Sequence, residues 1–262
     1  MGGKRSLLSH LHGRLPKEFA NYFEPFIGGG ALFFSLASQI HTSGRQAVLC
    51  DNNFELVVTY QVVKRQPREL IAALQEHAKH HSKDYFYRVR RQVPSDPLAI
   101  AARFIYLNKT CYNGLYRVNK SGGFNAPMGN YKNPNIVAAE NLLACSQALQ
   151  PATLKMGDFT TIRPEPGDLV YFDPPYHPTD DQSFTKYTKE DFTERDQVRL
   201  WEFVRELHRQ GVFVMVSNSK CRFIEHLYRA KFFKRHVIMA PRLVNCKPGG
   251  RDKVEELLIT NF

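Results

Sequence analysis

Four consecutive residues, Asp173-Pro174-Pro175-Tyr176, follow the apolar run Leu169-Val170-Tyr171-Phe172. A carboxylate, two rigid rings and an aromatic side chain at the end of a buried strand suit the gripping of a flat exocyclic amine. The Asp173 carboxylate and the Pro174 carbonyl can each accept one N–H of an –NH2 group. The Tyr176 ring can stack on the heterocycle that carries it. Tandem proline fixes the backbone, so that this carbonyl points outward instead of pairing in a sheet. The competing reading is a plain strand and tight turn, because Asp-Pro is ordinary turn chemistry.

A second constellation lies near the start. Glu24-Pro25-Phe26-Ile27-Gly28-Gly29-Gly30 follows one apolar segment and opens another. A glycine turn built on Gly28 and Gly30 lets a ligand approach the backbone, and a helix N-terminus favours negative groups. Asp51 ends the next strand, about 20 residues on, where an acidic side chain can accept ribose hydroxyls. The pair points to an adenosine-containing cofactor. A dinucleotide fingerprint wants a third glycine where Phe33 stands. A crowded turn with Glu24 just before it better suits a cofactor without phosphates. In Gly157-Asp158-Phe159, the acid can hold an adenine amine and the ring can stack on it.

Charge and composition narrow the partners. The 262-residue chain carries 36 basic and 25 acidic residues, net +11. The excess is uneven: net +1 over residues 1–59, +8 over 60–147, −4 over 148–219 and +6 over 220–262. Two basic blocks around a mildly acidic one suggest a polyanion. Cys50, Cys111, Cys145, Cys221 and Cys246 form no CxxC pair, which indicates free thiols in a reducing compartment. No apolar run approaches the roughly 18 residues of a membrane span, and the first residues lack the apolar h-region expected of a leader. The expectation is a cytoplasmic protein with no membrane partner and no metal; His77, His80 and His81 have only loose ligand spacing.

The elements that must position these groups alternate at both ends of the chain. Asn21–Phe26, Gln46–Cys50, Ala152–Met156, Asp168–Phe172 and Val212–Ser217 read as strands, and Ala31–Gln39 begins a helix. Phe192–Gln210 is a long amphipathic helix with Leu200, Phe203, Val204 and Leu207 on one face. Phe232–Met239 and Val254–Asn261 could close the sheet as a pair. This rhythm predicts an α/β sandwich with a mainly parallel sheet. The middle breaks it: Arg68–His80, Ser82–Gln92 and Pro97–Leu107 read as helices, followed by a Gly/Asn-rich loop from Thr110 to Tyr131. The boundaries predicted are a discontinuous core, 1–59 with 148–262, and a helical insertion, 60–147.

Taken together and in order, the motifs resemble the Dam-type DNA adenine-N6 methyltransferases, in the group that places the cofactor motif first and Asp-Pro-Pro-Tyr last. The resemblance runs through Gly2-Gly3-Lys4-Arg5, Glu24–Gly30, Asp51-Asn52, Tyr106-Leu107-Asn108-Lys109 and Tyr112-Asn113-Gly114-Leu115-Tyr116-Arg117. It continues through Phe124-Asn125-Ala126-Pro127, Asp173–Tyr176, Ser217-Asn218-Ser219 and Lys253–Leu258. It implies a Rossmann-like S-adenosylmethionine-dependent methyltransferase core with an inserted, mostly helical target-recognition domain. It implies cofactor contacts from Lys4, Phe26, Asp51, Asp158 and Asp173, beside those read above for Glu24, Gly28, Gly30 and Phe159. It also implies that the Tyr112–Arg117 loop enters double-stranded DNA, with Arg117 on a guanine, Tyr112 and Asn113 near a flipped adenine, and Leu115 and Pro127 alongside. The usual target is GATC. The expected catalytic set is Asp173, Pro174 and Tyr176, in a monomer associated with the nucleoid.

The chemistry needs acceptors at both amine hydrogens, because the adenine amino lone pair is delocalised into the ring; preorganised dipoles favour its localisation. An in-line displacement then needs positioning more than acid–base work. An adenine inside a duplex cannot reach such a pocket, so it should flip out and stack on Tyr176. Arg88, Arg90, Arg91, Lys109 and Lys120 are expected on phosphates. Family members usually carry an aromatic-containing segment before the Gly-Gly-Lys, where Met1 stands here. That makes a cofactor-deficient DNA-binding homologue the alternative expectation, with an RNA or protein-amide methyltransferase as a further rival.

Overall fold

The structure is a computed structural model that describes residues 4–119, 121–178, 192–241 and 253–262. Gly2, Gly3, Lys120 and Cys246, named above, lie outside the described residues. In chain order the elements are α1 (Leu8–His12), β1 (Tyr22–Glu24), α2 (Ala31–Thr42), β2 (Ala47–Asp51), α3 (Phe54–Arg65), α4 (Pro67–Lys79), α5 (Lys83–Arg91), α6 (Pro97–Thr110) and α7 (Ala139–Ala148). They continue with β3 (Ala152–Met156), β4 (Leu169–Phe172), α8 (Glu194–Arg209), β5 (Phe213–Ser219), α9 (Arg222–Leu227), β6 (Lys234–Pro241) and β7 (Lys253–Thr260). The chain divides into two compact units, Asn52–Gln150 and the pair Gly2–Asp51 with Pro151–Phe262.

The second unit carries a seven-stranded sheet in the order β3-β2-β1-β4-β5-β7-β6. The first five strands pair in parallel, and β7 is antiparallel to both β5 and β6. Strand β4 is buried at every position, as expected of a central parallel strand covered on both faces. Helix α8 starts with a capping box between Thr193 and Asp196 and buries Leu200, Val204 and Leu207 against the sheet residues Val214, Val216 and Phe172. Strand β1 is shorter than the predicted Asn21–Phe26. It stops at Glu24 because Pro25 has no amide hydrogen to continue the ladder.

The other unit is helical. Helix α3 has no counterpart in the periodicity reading, and the predicted boundary between residues 59 and 60 falls inside it. Its run of valines lowers intrinsic helix propensity. The Asn53 side chain caps it by accepting from the Leu56 amide at 3.2 Å, and Val57, Val58, Val62 and Val63 are buried. Arg103 on α6 is buried among these helices. It reaches Glu55 Oε1 at 2.8 Å and the carbonyls of Val89 and Arg90 at 3.2 and 3.0 Å. A buried guanidinium satisfied on three sides ties α3, α5 and α6 together.

Candidate active site

In an open α/β sheet a ligand binds outside the carboxyl ends of the strands, where the strand order reverses. Here that point lies between β1 and β4, which are neighbours although β2 and β3 intervene in sequence. The adjacent strands β3, β2, β1 and β4 lead into Asp158, Asp51, Glu24 and Asp173 at that same end. The sequence reading and the topology therefore meet at one edge of one sheet.

The glycine turn is held from within. Gly28 and Gly30 have φ of 45° and 62°, the left-handed region that glycine tolerates, and Gly30 is the N-cap of α2. The Gly28 amide donates to Asp51 Oδ2 at 3.1 Å, which locks the turn to the end of β2. Phe26 stacks on Phe159 with centroids 5.5 Å apart. Phe159 is only 2 % exposed, so its ring is a wall of the core rather than an open stacking platform. Glu24 is likewise 2 % exposed and lies beneath the turn. Its Oε2 accepts from the Tyr22 hydroxyl at 2.8 Å and the Phe33 amide at 3.2 Å. Burial pushes the Glu24 carboxyl up to about 8, with the neighbouring Asp173 adding to the effect, so it is held protonated at neutral pH. Glu24 thus supports the turn instead of facing a ligand. Asp158 accepts from the Thr160 amide and hydroxyl and pairs with Arg199 at 3.1 Å; the Arg199 guanidinium also covers the Phe159 ring.

The tetrapeptide at the end of β4 is the most tightly framed part of the site. Lys4 Nζ lies 3.1 Å from Asp173 Oδ1, 3.3 Å from Glu256 Oε2 and 4.1 Å from the centre of the Tyr176 ring, and it also contacts the Tyr176 hydroxyl. That hydroxyl donates to Glu256 Oε2 at 2.8 Å. Burial raises the Asp173 carboxyl to about 6; Lys4 opposes the shift and Glu256 adds to it. Behind the motif, Gln197 Nε2 donates to the Pro175 carbonyl at 2.9 Å, and Asn218 Nδ2 donates to Gln197 Oε1 at 3.0 Å. The Asn218 side-chain Oδ1 accepts from the His177 amide at 3.2 Å, and Ser219 Oγ donates to the His177 carbonyl at 2.6 Å. Among the described residues the Pro174 carbonyl has no hydrogen-bond donor. It is an acceptor at the strand end held ready by its neighbours.

In the helical unit the Tyr112–Arg117 segment follows α6. Tyr112 is 50 % exposed, and Asn113 adopts φ 52°, a strained conformation for a residue with a side chain. The Tyr112 amide donates to the Pro127 carbonyl at 2.8 Å, so Pro127, itself exposed, sits directly behind Tyr112. Leu115 is half-buried. Arg117 is exposed, and Asn125 holds it through Nε to Oδ1 at 2.6 Å and Nη2 to the carbonyl at 3.1 Å. Tyr116 packs inward between Phe104 and Phe124. The structure therefore gathers Tyr112, Asn113, Leu115, Arg117 and Pro127 in one braced loop. Arg90 departs from its expected phosphate role: it is half-buried and donates to the Ala126 carbonyl at 3.2 Å. The histidines are taken up by aromatic neighbours, His77 against Tyr85 and Tyr106 and His81 against Tyr106.

Glu256, Gln197 and Arg199 escaped the residue-by-residue reading. Gln197 carried a usable signal, a polar residue on the apolar stripe of α8 that is 1 % exposed. Glu256 lies in the Lys253–Leu258 stretch of the resemblance but had no role of its own there, and Arg199 carried no signal, since charged side chains on helix faces are commonplace.

A parallel-dominated sheet with a glycine turn after β1, an acidic side chain ending β2 and the Asp-Pro-Pro-Tyr motif after β4 fits a Rossmann-like methyltransferase fold. The chain matches the model of the D12 class N6 adenine-specific DNA methyltransferases over residues 1–242, and it belongs to that family. It is 43% identical to the type II methyltransferase M1.LlaDCHI of Lactococcus lactis subsp. cremoris, over 100% of this chain and 93% of that protein. It is 40% identical to the type II methyltransferase M.MjaIII of Methanocaldococcus jannaschii, over 100% of this chain and 96% of the relative. With the DNA adenine methylase of Escherichia coli K12 it shares 32% identity, over 98% of this chain and 91% of that one. The protein is therefore an adenine-specific DNA methyltransferase of an S-adenosylmethionine-dependent family, and DNA is its substrate. No helix among the described residues is long and apolar enough to cross a membrane.

The donor set fits that cofactor. Acidic groups and a glycine turn suit hydroxyls, amines and an ammonium, and Asp51 Oδ2 accepts from the Gly28 amide at the mouth of that turn. Lys4, Phe26, Gly28, Gly30, Asp51 and Asp158 are the residues that would hold it.

Proposed function

We propose that this enzyme methylates adenine N6 at GATC in duplex DNA, on a base flipped out of the helix. The observation that carries the reading is the run Asp173-Pro174-Pro175-Tyr176 directly after β4, with the Asp173 carboxylate and the Tyr176 ring both held by Lys4 and, among the described residues, no donor on the Pro174 carbonyl. When bound, S-adenosylmethionine supplies a methyl group already activated for displacement. The protein's part is then to hold the adenine amine: Asp173 and Pro174 accept its two hydrogens and localise the lone pair, and Tyr176 stacks on the ring. Lys4 covers one face of Tyr176 and fixes its plane.

The GATC assignment rests on the likeness of the Tyr112–Arg117 loop to that of Dam-type enzymes. In this reading Arg117 contacts guanine O6 and N7, with its guanidinium plane preset by Asn125. Tyr112 and Asn113 attend the vacated position, with Leu115 and Pro127 alongside. The exposed Arg88, Arg91 and Lys109 serve phosphates. Residues Asn52–Gln150 act as the target-recognition unit and the remainder as the transfer unit, in a monomer on the nucleoid. The test is modification-detecting sequencing of DNA from an adenine-methylation-null host that expresses the chain. N6-methyladenine confined to GATC is the expected result. Methylation at another motif would overturn the recognition assignment and keep the chemistry.

A further inference from the structure

Strand β7 enters the sheet in the opposite direction to β4 and β5. Its beginning therefore lies at their carboxyl ends, with Glu256 paired opposite Ser219, the last residue of β5. Alternation along the strand sends consecutive side chains to opposite faces. Glu255 turns to Lys220, 2.7 Å away, while Glu256 turns to the end of β4. There Glu256 Oε2 accepts from the Tyr176 hydroxyl and shares Lys4 with Asp173. Two carboxylates thus face one ammonium. A private Lys4–Asp173 pair would spend the Asp173 charge on lysine; a shared Lys4 leaves part of it for an incoming amine.

We propose that Glu256 is a positioning residue for methyl transfer, which anchors the Tyr176 ring and divides Lys4 so that the Asp173 carboxylate keeps its strength as an acceptor for the amine. The inference rests on the site reading above and adds to it a residue from the antiparallel end of the sheet. The groups that face Asp173 are Lys4 from the N-terminal turn, Tyr22 and Glu24 from β1, Tyr171 from β4, Tyr176 and Glu256. The phenols of Tyr22, Tyr171 and Tyr176 are raised by burial, and Glu24 is held protonated, so these four bring no charge at neutral pH. Lys4 and Glu256 set the field at Asp173.

The test compares two variants on a duplex oligonucleotide under single-turnover conditions. Glu256→Gln keeps an oxygen for the Tyr176 hydroxyl and removes the charge. Its acid limb in the pH–rate profile is expected at lower pH than in the wild type, because Asp173 loses a negative neighbour. Glu256→Leu removes both functions, and its transfer rate is expected to fall by about tenfold or more with KM for DNA and cofactor little changed. An unmoved acid limb in the Gln variant overturns the proposal, as does a wild-type rate in the Leu variant; if Leu fails to fold, the Gln profile decides alone. Wild-type protein that leaves adenine unmethylated overturns the underlying reading and this proposal with it. A normal wild type with indifferent variants overturns this proposal alone.

Discussion

The proposed transfer site and the proposed recognition loop are built by opposite means. Asp173, Pro174 and Tyr176 sit on the end of a fully buried strand, and residues from β5, β7, α8 and the N-terminal turn hold them. Tyr112, Asn113 and Arg117 are exposed on the segment after α6, where Asn125 braces Arg117 and the Pro127 carbonyl braces the Tyr112 amide. A group that must meet a small amine within tenths of an ångström is placed by the rigid sheet. A surface that meets an irregular polymer is carried on a loop.

That contrast can be broken in order of effect. Asp173→Ala should reduce the transfer rate by about a hundredfold to a thousandfold, by loss of a preorganised acceptor, while DNA binding by fluorescence anisotropy stays near normal; near-normal turnover would refute the acceptor role. Glu24→Gln should act on stability. A carboxyl whose folded value is raised to about 8 contributes stability that is complete at low pH and lost as pH rises through that value. Glutamine escapes the loss, so the variant should match wild type near pH 4 and exceed it by on the order of a few kcal/mol above pH 8. Thermal melts at the two pH values decide it; an advantage confined to low pH would contradict the buried, protonated Glu24.

Smaller effects probe the loop. Arg117→Ala should cost about 1–3 kcal/mol of discrimination at one base pair and relax sequence choice there. A uniform loss across sequences would mark a phosphate contact instead. Wild-type transfer should fall as pH drops below about 6, where Asp173 takes up a proton, by roughly tenfold per unit if the carboxylate form alone is competent. The slightest change is expected from Arg91→Ala or Lys109→Ala, each lowering the salt slope of DNA binding by about one without altering target choice.

Much of the transfer site was legible because its parts are local. The tetrapeptide carries its own geometry in two prolines, and the glycine turn and Asp51 announce themselves through residue type and spacing. The strand runs stood out by burial-sized apolar blocks. Helix α3 did not, since a valine-rich segment reads as poor helix, and the Asn53 cap with packing against α6 and α7 overrules that. Roles are less legible than positions: residue type suggests ligand contacts for Glu24 and Phe159, and the fold buries both side chains. Glu256 depends on the register of β7 against β5, which no local pattern encodes.

The Lys4–Glu256 contact joins residues 252 positions apart. Closing so large a loop is entropically costly and slow compared with forming the short-range contacts of the helical unit. A refolding chain will regain helical signal early and catalysis late, when the far edge of the sheet has docked. If Lys4 and Glu256 act as proposed, catalytic competence is a read-out of completed folding, because both ends of the chain must be in place before any DNA is marked.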